Sequence, residues 1–204
     1  MTIFYQFSGP SNEDTGFDDI TLSYLIRDCC SVKRVLVIAS DLYNHAITDY
    51  YFKKNLPWFG KFITSPFKID LLDSRIDFET AQQLITKAEC IHLMGGYTEN
   101  QIELLNYFNI TNKSFNHAKV VFGTSAGAMV LGPKLFGTHN QERIMNGLAC
   151  VPSIIWPHYT KEDNPTLLNL LPLVNKIVAL SDDTGIRYEK DDMTVINSDY
   201  HVFK

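Results

Sequence analysis

Short runs of consecutive apolar residues alternate along this chain with longer stretches in which apolar residues recur every three or four positions. Val35-Leu-Val-Ile-Ala39 is apolar at five successive positions, so a strand there must be covered on both faces. The same reasoning predicts strands over Ile3–Phe7, Arg34–Ala39, Phe67–Leu71, Cys90–Met94 and Lys119–Phe122. Three more are predicted near the C-terminus, over Ile177–Leu180, Gly185–Tyr188 and Met193–Ile196. Helical spacing predicts helices over Asp18–Cys30, His45–Leu56, Phe78–Ala88 and Thr98–Tyr107. Asp77 is placed to cap the third of these ahead of Glu79. Residues 150–173 hold Pro152, Pro157, Pro165 and Pro172 and read as the most loop-rich stretch. Strand–helix alternation of this kind predicts an α/β fold, a doubly wound and mostly parallel sheet flanked by helices.

Composition narrows the function classes. At 204 residues, without repeats or an evident linker, one domain spanning residues 1–204 is expected. The 45% apolar and 20% charged fractions are those of an ordinary globular protein. A net charge of -5 argues against nucleic acid as a partner, because that would favour a clustered basic surface. The start, MTIFYQFSGPSNEDTG, has neither the basic opening nor the apolar core of a secretory signal, and no apolar run reaches membrane-spanning length. Cys29, Cys30, Cys90 and Cys150 lack metal-site spacing and read as reduced, buried positions. No partner membrane, a cytoplasmic location, no metal and no cofactor are the expectations.

The chemistry concentrates in Lys119-Val-Val-Phe-Gly-Thr-Ser-Ala-Gly-Ala-Met-Val-Leu131. A β-rich run enters Gly123-Thr-Ser125-Ala-Gly127 and leaves as an apolar helix, the pattern of a nucleophile elbow. Such a turn stands the serine Oγ at the carboxyl edge of the sheet, where open α/β folds bind ligands. A second glycine turn, Met94-Gly95-Gly96-Tyr97, follows another predicted strand and lies on the same edge. A free backbone N–H of this turn, together with that of Ala126, is therefore a candidate for an oxyanion hole, although a plain tight turn would read the same way.

A serine nucleophile needs a base. Of the six histidines, His92 falls inside a strand, His117 precedes one and His201 lies in the C-terminal tail. His45 and His139 sit in loops with undistinguished surroundings. His158, in Ile154-Ile-Trp-Pro-His-Tyr159, follows a β-like run and a stiffening proline, and so fits best. For the acid that orients the base, Asp182 and Asp183 follow the strand Ile177–Leu180, with Glu142 a weaker candidate. Both aspartates also suit a solvated turn. The order serine, histidine, acid differs from that of the α/β-hydrolases.

Taken together, Gly123–Ala128, Met94-Gly95-Gly96, Asn146-Gly147-Leu148, Pro157-His158-Tyr159 and Ala179-Leu-Ser-Asp-Asp183 resemble peptidase family S51 in order and spacing. That family includes dipeptidase E (aspartyl dipeptidase) and the cyanophycinases. The resemblance implies a class I glutamine amidotransferase-like, flavodoxin-like fold with serine in place of cysteine at the elbow. It implies cofactor-free hydrolysis of small peptides, Asp-X dipeptides among them, with Ser125 as nucleophile, His158 as base and Asp182 as acid. It places Gly96 and Ala126 at the oxyanion and is compatible with a homodimer. Two departures stand out. Tyr97 occupies the place of an asparagine and could narrow the pocket, and an aspartate replaces the glutamate of the dipeptidase acid position. A catalytically weak member acting as a binding or regulatory module is the competing expectation. The aromatic cluster Tyr50, Tyr51, Phe52, Trp58, Phe59 and Phe62 is expected to pack in the core or at a subunit interface, with a substrate platform as the lesser alternative.

Overall fold

The computed structural model describes residues 1–139, 141 and 143–204. Five strands, β1 (Ile3–Phe7), β2 (Arg34–Ile38), β3 (Lys68–Leu72), β4 (Cys90–Leu93) and β5 (Val120–Thr124), pair in parallel in the order β1-β5-β4-β2-β3. Two later strands, β10 (Gly185–Glu189) and β11 (Asp192–Ile196), extend the sheet beyond β1 in antiparallel fashion, giving seven strands. The sheet is thus mixed and mostly parallel.

Alternation along the central strands explains why they read as continuous apolar runs. Val35 and Val37 pack on one face, with Val120 and Phe122, while Leu36, Ile38, Ile91 and Val121 pack on the other. The first face is covered by α1 (Asp19–Cys29) and α2 (His45–Phe62), which contribute Leu25, Trp58, Phe59 and Phe62. The second is covered by α3 (Phe78–Lys87), α4 (Thr98–Tyr107) and α5 (Ala126–Leu131). Each helix start has a local cause. Asp18, Asn44 and Asp77 accept backbone N–H bonds from Thr21, Ile47 and Thr80, satisfying donors the first turn leaves free.

Two further groups of strands flank the β5–α5 turn. Strands β6 (Lys134–Phe136) and β7 (Ile144–Asn146) form a hairpin. Strands β8 (Ile155–Trp156), β9 (Ile177–Leu180) and β12 (Tyr200–Phe203) form a three-stranded sheet backed by α6 (Asn164–Val174).

Besides the β6–β7 hairpin, which the sequence reading did not predict, the structure departs from it in three places. Helix α2 runs to Phe62, past Pro57, because Trp58, Phe59 and Phe62 on its far side are all buried. The proline-rich stretch contains helix α6. Pro165 stands in the first turn, where its missing N–H costs nothing, and Pro172 lies in the last. His201 belongs to β12 rather than to a loose tail, and its ring lies 5.0 Å from that of Tyr159.

Candidate active site

The turn from β5 into α5 is sterically dictated. A Cβ at position 123 would stand 2.3 Å from the Gly127 carbonyl, and one at position 127 would stand 2.2 Å from the Leu93 oxygen. Both positions must therefore be glycine for strand and helix to approach. Between them Ser125 adopts φ 52°, ψ −115°, a conformation that ordinary side chains avoid. Its N–H donates to the Phe7 carbonyl at 2.9 Å, which ties the turn to β1. The serine hydroxyl is thereby raised at the carboxyl ends of β1, β4 and β5.

His158 arrives from the end of β8 in a left-handed conformation, φ 55°. Its Nε2 lies 2.9 Å from Ser125 Oγ, and its Nδ1 lies 2.6 Å from Asp182 Oδ1. Asp182 follows β9, which pairs in parallel with β8, so adjacent strands deliver both partners to one edge. Roughly half of the His158 side chain and 42% of the Asp182 side chain remain exposed, which leaves the pair open to solvent. Asp183, next in sequence, turns its carboxylate to the Ser11 N–H at 2.9 Å. Glu142 lies outside the described residues.

Two residues that motif reading passed over hold this arrangement. Ser8, at the end of β1 and fully buried, accepts the His158 backbone N–H at 2.7 Å and donates to Asp182 at 3.3 Å. Gly9 packs against the His158 ring, where a Cβ would come within 2.9 Å of Cε1. The available signal was a polar–glycine step ending the strand that neighbours β5. Below the turn, buried His92 bonds Thr124 through Nε2 at 3.2 Å and stacks on Phe122. Burial alone pushes the His92 imidazole down to about 3, so it is neutral at physiological pH.

Gly96 holds φ 146°, and a Cβ there would collide with Ser40 Oγ at 2.2 Å. Its N–H makes no hydrogen bond among the described residues, and the Ala126 N–H belongs to the first turn of α5, where helices leave donors free. Tyr97 is 45% exposed and stacks on His139, with ring centroids 4.3 Å apart.

Two cavities share Gly96 and His158 as walls. One, of about 350 Å³, extends towards α2 and is lined in part by Thr48, Tyr51, Asn55, Trp58 and Tyr97. The other, of about 220 Å³, contains Ser125 and runs towards Met129, Phe136 and Trp156. The aromatic cluster is thus divided: Phe59 and Phe62 are buried in the core, Tyr50 is exposed, and Tyr51 and Trp58 face the larger cavity. His45 bonds Ser74 at 2.8 Å and His117 bonds the Ile85 carbonyl at 2.6 Å, so neither meets Ser125.

The four cysteines are free, with Cys29 and Cys90 buried; burial pushes the Cys150 thiol up to about 12. Among the described residues no helix is long and apolar enough to cross a membrane, and no group of three or more histidine, cysteine, aspartate or glutamate side chains is arranged to hold a metal ion.

Comparison with known proteins agrees with this architecture. The model of peptidase family S51 matches residues 26–196. Among solved structures, a provisionally named peptidase E protein from Listeria monocytogenes EGD-e superposes with a TM-score of 0.68 at 18% identity, covering 96% of this chain and 98% of its own. A peptidase from an acI-B1 actinobacterium gives a TM-score of 0.67 at 14% identity, covering 97% and 88% respectively. These likenesses extend over the whole fold. No curated protein matches in sequence.

Proposed function

Because the chain belongs to peptidase family S51, we propose that it is a serine peptidase that cleaves small peptides through an acyl-enzyme on Ser125. One observation carries this reading: the unbroken relay from Ser125 Oγ through His158 to Asp182, at 2.9 and 2.6 Å, on the carboxyl edge of the sheet. Distances of that size suit proton transfer without rearrangement.

In the proposed reaction Ser125 Oγ attacks the scissile carbonyl carbon while His158 Nε2 takes the hydroxyl proton. The carbonyl π electrons move onto oxygen, and the Gly96 and Ala126 N–H groups receive the negative charge. Asp182 accepts a hydrogen bond from Nδ1, which keeps the lone pair on Nε2 and stabilises the imidazolium. His158 then gives its proton to the departing amine as the C–N bond breaks. A water molecule, deprotonated by the same nitrogen, releases the acid and restores Ser125. The half-exposed His158 suits this second step, since water reaches it directly.

The test is hydrolysis of a panel of X-Ala dipeptides, Asp-Ala included, by the wild type and by Ser125→Ala. Turnover by the wild type that disappears in the variant is expected. Turnover retained in Ser125→Ala would overturn the assignment of the nucleophile.

A further inference from the structure

The larger cavity holds polar side chains that have nothing to bind. Asn55 is 9% exposed and Thr48 only 3%, and both line the cavity wall. Neither side chain makes a hydrogen bond among the described residues, and their polar atoms stay open to the cavity rather than sealed within the core. They lie on one face of α2, seven residues apart, with Tyr51 between them and Trp58 beyond. The Trp58 indole N–H is already donated to the Glu13 carbonyl at 3.1 Å, so Trp58 offers the cavity an apolar ring. The wall therefore combines aromatic surface with an unengaged amide and hydroxyl.

Its charges are of one sign. Glu13 and Asp41 line the cavity, and among the described residues no lysine or arginine does. Lys54 pairs with Glu13 at 2.7 Å and with Asp14 at 3.4 Å outside the lining. Burial works against the charge of Asp41, but the Tyr43 and Asn44 N–H groups and the Asn100 amide outweigh it and hold the carboxyl below the usual range. With Glu13 already paired to Lys54, a substrate carboxylate would still enter beside Asp41 with no lysine or arginine in the lining to meet it, an expensive way to bury charge. A free α-ammonium would meet complementary charge.

We infer that this cavity receives the amino-terminal residue of the substrate, and that it selects an uncharged side chain with an apolar body and a hydrogen-bonding tip, as in tyrosine or glutamine, over aspartate. The Asn55 amide binds the tip, and the Tyr51 and Trp58 rings, one turn to either side of it on α2, pack against the body. A volume of about 350 Å³ suits one residue of this size, at the lower end of small-molecule sites. The scissile carbonyl then falls at the wall the two cavities share, beside His158 and Gly96, and the leaving amine occupies the smaller cavity. The assignment of the bound group as a substrate's acyl side rests on the serine peptidase reading; the selectivity of the cavity does not.

The experiment uses Tyr-Ala, Phe-Ala, Gln-Ala and Asp-Ala. Wild-type kcat/KM is expected to favour Tyr-Ala and Gln-Ala over Asp-Ala by at least about 100-fold, and Tyr-Ala over Phe-Ala by about tenfold. Asn55→Leu, and separately Asn55→Ala, should each pull the Tyr-to-Phe ratio towards one, in samples whose melting temperature shows them folded. The same peptides are titrated calorimetrically into Ser125→Ala, which reads the cavity without chemistry. Serine-dependent hydrolysis that favours Asp-Ala would overturn the inference and leave the peptidase reading intact. Absence of hydrolysis, with Ser125→Ala still binding Tyr-Ala over Phe-Ala and Asp-Ala, would uphold the cavity and overturn the peptidase. A Tyr-to-Phe ratio unmoved by both cavity variants, or binding without preference, would overturn the inference.

Discussion

Replacing Ser125 with glycine should make the protein more stable than replacing it with alanine, the reverse of the usual order. Glycine normally costs about 0.5–1 kcal/mol relative to alanine, because it has more backbone freedom to lose on folding. At φ 52°, ψ −115°, however, any side chain carries strain, and residues held in such regions cost roughly 1–3 kcal/mol. Alanine keeps that strain and glycine removes it. Both variants lose the same contact with half-exposed His158, so that term cancels. The difference is about 1 kcal/mol in favour of glycine, or roughly 2–4 °C in melting temperature for a chain of this size. Thermal unfolding followed by circular dichroism, on matched samples of the two variants, measures it. An alanine variant that melts at or above the glycine variant would refute the claim that the elbow stores strain at Ser125.

Other consequences concern the groups around the elbow. Ser8→Ala removes the hydroxyl shared by the His158 N–H and Asp182, and should cost about 1 kcal/mol of stability together with a fall in kcat; unchanged melting and turnover would contradict its positioning role. Asp182→Asn should lower kcat by about 10³–10⁴-fold, and by far more than Asp183→Asn, whose carboxylate serves Ser11; equal losses in steady-state assays would return the choice of acid to Asp183. His92 stays neutral down to about pH 3 when folded but takes up a proton near its ordinary 6.5 when unfolded. Its contribution is therefore complete above about pH 6.5 and is lost as pH falls below it, by roughly 2 kcal/mol at pH 5. Urea unfolding across that range should show a shallower acid-side slope in His92→Gln than in the wild type; identical slopes would place the acid sensitivity elsewhere.

What could be read from the chain divides by how local its physics is. The central strands announced themselves because burial on both faces demands unbroken apolar runs such as Val35–Ala39. The elbow was legible because Gly123 and Gly127 are required by contacts within, or one strand away from, the same few residues. Helix α6 was hidden by Pro165 and Pro172, whose tolerance depends on their positions in the first and last turns. Strands of three residues, such as Lys134–Phe136 and Ile144–Asn146, are too short for any periodicity to register. At the site, His158 emerged from its place after a β-like run and a proline, while the strand Ile177–Leu180 pointed to Asp182 and Asp183 together and the family resemblance chose between them. Ser8 and the unengaged Asn55 did not emerge, because their roles depend on segments far apart in sequence: β1 lies some 150 residues before His158, and α2 meets the elbow only across the cavity.

The central claim is that His158 activates Ser125 as a nucleophile, and an organophosphonate that labels activated serines tests it most directly. Intact-mass and peptide mass spectrometry of the treated protein should find one adduct per chain, on the peptide carrying Ser125, forming far more slowly in His158→Ala. Labelling of Ser125 at the same rate in both proteins, or no adduct on Ser125 in the folded wild type, would contradict it.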